Sequence, residues 1–153
     1  MATQSGTPGF PGKQFQVAGH QLHLVHAPKD RLDAVLRLIA VAEKSIQMFF
    51  YMFADDSVGR DVRSAVVAAA NRGVQVQLII DSFGSAAISD RFFDELTDAG
   101  GRYHCFSTRK GLGYIIRNHQ KILIADGKHA LVGGFNITDQ YFGRSRDDDW
   151  EDL

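Results

Sequence analysis

The chain has 153 residues, of which 44% are apolar and 23% charged, enough to bury one hydrophobic core beneath an ordinary globular surface. Its formal net charge of −1 excludes a protein-wide basic field for nucleic acid, while leaving room for a local patch that holds phosphates. The single cysteine, Cys105, excludes an internal disulfide framework and a cysteine-only metal site, and fits a reducing, cytosol-facing compartment.

Residues 1–13 read as a disordered tail, small, polar and rich in Gly and Pro, with neither the basic start nor the apolar stretch of a secretory signal. Residues 14–153 read as a single domain. No apolar run approaches the roughly 20 residues that a membrane-spanning helix needs, so any membrane contact by this segment is peripheral. Residues 21–25 predict a short strand, and Pro28 can open a helix without wasting a backbone donor. Leu32, Val35, Leu36, Ile39 and Ala42 follow at helical spacing, and that helix is expected to end near Lys44. Residues 45–53 (SIQMFFYMF) are apolar on both faces and aromatic-rich, which predicts a buried strand rather than a lipid-binding surface. Ser57 is expected to cap a second helix, striped by Val62, Ala65, Val66 and Ala69 and stopped by Gly73. Residues 74–81 predict another strand, and residues 89–99 a third helix with Phe92, Phe93 and Leu96 inward and Gly100-Gly101 closing it. Residues 102–106 predict a short strand. A hairpin follows, in which residues 119–125 and 129–132 are joined through Asp126-Gly127, a strong turn dipeptide. Strands alternating with helices of this length give an α/β class, a mixed, largely parallel sheet flanked by helices.

The chemistry-bearing residues cluster in that hairpin. Side chains alternate faces along a strand, so His119 and Lys121 project from the same side, about 7 Å apart. Their neighbours Ile122, Leu123, Ile124 and Ala125 are apolar, so an ionisable pair at this end must be satisfied by a partner or a ligand. A phosphate satisfies both: imidazole is nucleophile or proton donor near neutral pH, and lysine supplies fixed positive charge for phosphoryl oxygens. Asn136 adds an amide donor after Gly133-Gly134, where glycines let the backbone approach a ligand closely.

His119, Lys121, Asp126, Gly133, Gly134 and Asn136 together match the spacing H-x-K-x-x-x-x-D-x-x-x-x-x-x-G-G-x-N. This resembles the phospholipase D superfamily motif, and its flanks look most like bacterial cardiolipin synthases. Those flanks include Arg117-Asn118, Phe135 and Ile137, Asp139-Gln140-Tyr141, and upstream Tyr51-Met52-Phe53-Ala54-Asp55-Asp56, Gly59-Arg60 and Asp81-Ser82-Phe83-Gly84-Ser85. The resemblance covers the chain from about Leu32 to its end. It implies a phospholipase D-like fold, a phosphatidylglycerol-like substrate, a phosphohistidine intermediate on His119, and no metal or other cofactor. It also implies that Lys121 and Asn136 grip the phosphoryl oxygens, with Asn118, Gly133 and Gly134 beside them. Asp126 closes the motif and counts among the site residues, although at the turn it lies on the opposite face from His119, where a structural role suits it. A nucleophilic imidazole needs its second nitrogen held by an acceptor, and Trp150-Glu151-Asp152 resembles the family's Trp-x-Asp, making Asp152 that acceptor. The other reading of Asp152 is part of a solvated acidic run with Asp147, Asp148, Asp149 and Glu151.

Members of the resembled family use two copies of the motif, one histidine attacking and the other protonating the leaving alcohol. Here none of His20, His23, His26, His104 or His129 is followed two residues later by lysine. The second histidine is therefore expected from a second half-domain of a longer, peripherally membrane-associated enzyme, or from a homodimer partner. The first option is preferred, with the domain truncated before its last strand. A homodimeric single-motif phosphodiesterase or endonuclease is the alternative, as is a non-catalytic phosphate- or partner-binding module, and the near-neutral charge makes nucleic acid an unfavoured partner. His20-x-x-His23-x-x-His26 is not read as a metal site, because in a strand His23 faces away from the other two. Arg109, Lys110 and Arg117, interleaved with Gly111-Leu112-Gly113, either attract an anionic headgroup or solvate a loop.

Overall fold

A computed structural model describes residues 9–107 and 119–144. Strands β1 (Lys13–Val17) and β2 (His20–Leu24) form an antiparallel ribbon closed by Ala18 and Gly19, both at positive φ. The sequence pattern predicts only a strand over residues 21–25, with Lys13 in the tail. Pairing with β2 is what recruits the polar stretch KQFQV. Helix α1 (Pro28–Val41) begins at the proline and stops three residues short of Lys44, because Ala42 turns extended at φ −63°, ψ 129°. β3 (Ser45–Phe50), α2 (Ser57–Asn71), β4 (Gln75–Asp81), α3 (Asp94–Asp98), β5 (Arg102–Phe106), β6 (Lys121–Ala125) and β7 (His129–Val132) follow.

The five-stranded sheet has the order β5-β4-β3-β6-β7. β3–β4 and β4–β5 pair parallel, whereas β3–β6 and β6–β7 pair antiparallel. The expected α/β class with a mixed, helix-flanked sheet is what the chain adopts. Ile46, Met48 and Phe50 of β3, Val76, Leu78 and Ile80 of β4 and Leu123 and Ala125 of β6 share one face in register. They bury against Leu32, Val35, Leu38 and Ile39 of α1 and Val58, Val62 and Val66 of α2. Full burial of each such Val, Leu, Ile, Met or Phe side chain contributes about 1.5–3 kcal/mol, and this face is the main source of stability.

Three expected boundaries shift for local reasons. The α2 cap is Asp56, whose Oδ1 accepts from the Gly59 N–H at 2.8 Å, while the expected cap Ser57 lies inside the helix and donates its hydroxyl to Asp139. The expected third helix divides into a 3₁₀ turn at Asp90–Phe93, capped by Ser89, and the short α3, so that Phe92, Phe93 and Tyr103 can interleave their rings. β3 ends at Phe50, and Phe53 instead bridges to Ile137.

Leu123 is fully buried at the centre of β6, so Leu123→Ala is expected to cost about 2–5 kcal/mol in denaturant unfolding. Val132→Ala, on a side chain 70% exposed, is expected to stay within about 0.5 kcal/mol. Equal losses at the two positions would contradict this assignment of the core.

Candidate active site

The residues with chemical potential gather at one edge of the sheet, where β3 and β4 end and the antiparallel β6 begins. Loops at the carboxyl ends of parallel strands are the usual place for a ligand in open α/β sheets. The chain leaving β3 is held there by several partners. The Met52 N–H donates to Asn136 Oδ1 at 3.0 Å and the Phe53 N–H to Ser85 Oγ at 3.0 Å. The Ala54 N–H donates to the Ile137 carbonyl at 2.9 Å, and the Ile137 N–H returns to the Met52 carbonyl at 3.1 Å. Ser85 Oγ also donates to the Tyr51 carbonyl at 3.4 Å. A Cβ on Gly84 would stand 2.3 Å from that same carbonyl oxygen, so only glycine permits this approach.

On this support His119 and Lys121 meet a common floor. The His119 ring stacks on Tyr51 with centroids 3.9 Å apart and planes 19° from parallel. Lys121 Nζ lies 5.4 Å from the centroid of the same ring and donates to the His119 carbonyl at 2.6 Å. His119 precedes β6 rather than belonging to it, contrary to the expectation of a strand from residue 119. The two side chains still share a side, through Tyr51. A groove of about 240 Å³ opens beside them, lined by His119, Gln120, Lys121, Ile122, Val132 and Gly133. A larger hollow of about 510 Å³ lies at the opposite end of the sheet, bounded by Ala40, Glu43 and Arg72 among others. Arg72 there donates to the Ile39 and Ala40 carbonyls, so that hollow is braced by structure rather than built for a ligand.

Asn136 is placed differently from the expectation of a free amide donor. It is buried, with Oδ1 taken by Met52 and Nδ2 donating to the Tyr141 hydroxyl at 3.1 Å. Gly133 borders the groove and Gly134 is exposed next to it. Asp126 stands at the far end of β6 at φ 55°, its carboxylate accepting from the N–H groups of Ser45 at 2.9 Å, Lys44 at 2.7 Å and Glu43 at 3.0 Å. Those donors, Ser45 first, hold its pKa at about 2. Asn118 and Asp152 lie outside the described residues, as do Arg109, Lys110, Arg117 and Trp150.

Several residues of this edge escaped sequence reasoning. In the sequence Tyr51 reads as core within an apolar run, and nothing local distinguishes it from Phe49 or Phe53. Asp81 is completely buried at the end of β4 and accepts from the Phe83 N–H at 2.9 Å, shaping the turn that presents Ser85. Arg31, also buried, donates to the His26 and Tyr141 carbonyls and ties the start of α1 to the segment behind Asn136. Asp139 accepts from Ser57 Oγ and the Val58 N–H, while its own N–H donates to Asp56, so the segment after the motif locks onto the start of α2. His23 sets its ring edge-on to Phe10 at 5.9 Å, an aromatic packing role.

This fold, with a histidine and a lysine side by side at the mouth of a groove, is that of the phospholipase D family. Residues 35–152 match the family described as "Cardiolipin synthase, PLD-like domain", and the chain belongs to that family. It is 36% identical over 119 residues to the major cardiolipin synthase ClsA of Bacillus subtilis, covering 75% of this chain and 25% of that one. It is 40% identical over 116 residues to a cardiolipin synthase of Clostridium perfringens, covering 72% of this chain and 24% of the relative. The chain thus spans about a quarter of the length of these relatives. Among solved structures it is similar to the phospholipase D family member Nuc of Salmonella typhimurium, with a TM-score of 0.56, 27% identity, and 72% and 67% of the two chains covered. NucT of Helicobacter pylori shares the fold at a TM-score of 0.62 and 21% identity, with 82% of this chain and 75% of that chain covered.

The Asp126 contacts have a pH signature. Its carboxyl titrates at about 2 in the native chain, against about 3.9 when unfolded. Its stabilisation is therefore complete above the unfolded value and lost as pH falls through about 2. Asp126→Asn is expected to lower stability at neutral pH and to flatten the acid limb of the denaturation midpoint between about pH 4 and 2. Parallel acid limbs for variant and parent would refute the assignment.

Proposed function

We propose that the chain supplies one half of a phosphatidyltransferase active site of the cardiolipin synthase kind, working through a phosphohistidine on His119. The observation that carries this reading is the pairing of His119 and Lys121 on the Tyr51 ring at the mouth of the groove. An imidazole nitrogen of His119 attacks the phosphorus of a phosphatidylglycerol-like lipid. The N–P bond forms as the P–O bond to the leaving alcohol breaks, and that oxygen takes a proton from a second histidine supplied from outside this chain. The hydroxyl of a second lipid then gives its proton to that histidine and displaces the phosphoryl group from His119, forming cardiolipin. Lys121 provides fixed positive charge for the phosphoryl oxygens, and Gly133 keeps the wall of the groove thin beside them. Asn136 serves by holding the backbone beneath the site, and Asp126 by fixing the opposite end of β6. Asn118 and Asp152 retain the roles that family resemblance suggests for them, a contact to the substrate and an acceptor for the second nitrogen of His119.

A lipid substrate puts the assembled enzyme at a membrane surface, on the cytosolic side. Among the described residues no helix is long and apolar enough to cross a membrane. A second reading has its own support: the chain spans two thirds or more of the Nuc and NucT chains but only a quarter of the cardiolipin synthases. Two copies of this chain, each giving one histidine, would then form a phosphodiesterase.

A polypeptide joining this chain to a second His-x-Lys half is expected to make cardiolipin from phosphatidylglycerol vesicles, and His119→Ala to lower kcat by about 10³-fold or more, as loss of a covalent nucleophile does. Cardiolipin synthesis that survives His119→Ala would defeat the transferase reading. Phosphodiesterase activity confined to a twofold dimer of the 153-residue chain would favour the second.

A further inference from the structure

We propose that Tyr51 is a positioning residue for His119, holding the imidazole edge-on to the groove and favouring the ring when it carries positive charge. This rests on the phosphohistidine reading above. Both imidazole nitrogens lie in the ring plane, so a ring stacked flat on Tyr51 at 3.9 Å presents its nitrogens sideways. Rotation about the Cβ–Cγ bond would break the stack, so the contact restrains a torsion that aims the nucleophile. The phenol face is the negative end of the aromatic quadrupole. An imidazole that has taken the phosphoryl group through one nitrogen while keeping the proton on the other is cationic, and a cation is attracted to that face. The same ring attracts the Lys121 ammonium, 5.4 Å from its centroid. Tyr51 therefore binds the charged ring more strongly than the neutral one, which lowers the barrier rather than merely tightening the ground state.

The floor is itself rigid. Its carbonyl is pressed by Gly84 and bonded by Ser85, and the next three backbone N–H groups are taken by Asn136, Ser85 and Ile137. A flexible support would follow the ring and restrain nothing.

An apolar side chain of similar bulk could wall the groove, but it has no quadrupole and casts no ring current. In proton spectra of the 153-residue chain, with His119 assigned by the signals lost in His119→Gln, its ring protons are expected upfield in the parent and in Tyr51→Phe, and at ordinary positions in Tyr51→Leu. In the two-motif enzyme acting on phosphatidylglycerol vesicles, Tyr51→Leu is expected to lower kcat about tenfold, equivalent to ~1.4 kcal/mol, with KM unchanged. Tyr51→Phe should restore it. Ordinary ring-proton positions in the parent, an unaltered kcat in Tyr51→Leu, or a Phe variant as poor as the Leu variant would each overturn the proposal. If Tyr51→Leu does not fold, the parent's ring shifts and the Phe variant still decide. Activity surviving His119→Gln would instead remove the phosphotransfer reading and this proposal with it, a result separable from a silent Tyr51→Leu in an enzyme that needs His119.

Discussion

Where β3 ends, its backbone donors lose their ladder partners, and the chain answers by recruiting two distant segments to one short stretch. The N–H groups of Met52, Phe53 and Ala54 go to the Asn136 side chain, the Ser85 hydroxyl and the Ile137 carbonyl. A buried N–H left without a partner costs about 1–3 kcal/mol, so this junction cannot be loosened at one point without penalty. It joins the crossover that follows β3, the turn that follows β4 and the segment that follows β7. Tyr51 sits at the head of this stretch, and through it the requirement to terminate a strand becomes the geometry of the candidate site.

β6 separates two tasks along its length. Lys121 opens the strand at the groove, whereas Asp126 follows its far end and binds the backbone that leads from α1 into β3. At about 3.3 Å per residue the two charges are more than a Debye length apart at 0.1 M salt. The aspartate thus does little to neutralise the lysine, and each acts on its own surroundings. The same separation lets one motif contain both a residue at the groove and an architectural one: β6 runs between them, so fixing one end places the other.

Polar groups inside the chain follow the same economy of placement. Arg31, Asp81, Ser85, Asn136 and Thr138 are buried beside the large apolar core, and four of them bond backbone groups at the site-bearing edge. Buried polar groups are tolerated when hydrogen-bonded, and their directionality selects one arrangement of loops where apolar packing alone would accept several.

Much of this was legible in the order of residues. Periodicity placed α1, α2, β4 and β5 within a few positions, because a 3.6-residue stripe or a short apolar run leaves a core-facing pattern that survives any tertiary context. The spacing from His119 to Asn136 pointed to the family, since that spacing is a property of the chain itself. What the sequence could not carry were contacts between residues far apart along it. The stacking of His119 on Tyr51 links positions 68 apart, and the Asn136 bond to Met52 links positions 84 apart. Neither residue type announces its partner, so Tyr51 reads as one more aromatic in a core strand and Asn136 as a donor for ligand. By itself the sequence determined most of the elements, the family and the candidate pair His119 and Lys121. Only the tertiary structure decided which side chain floors that pair and which amide is spent on the scaffold, because those choices depend on where separate strands end in space.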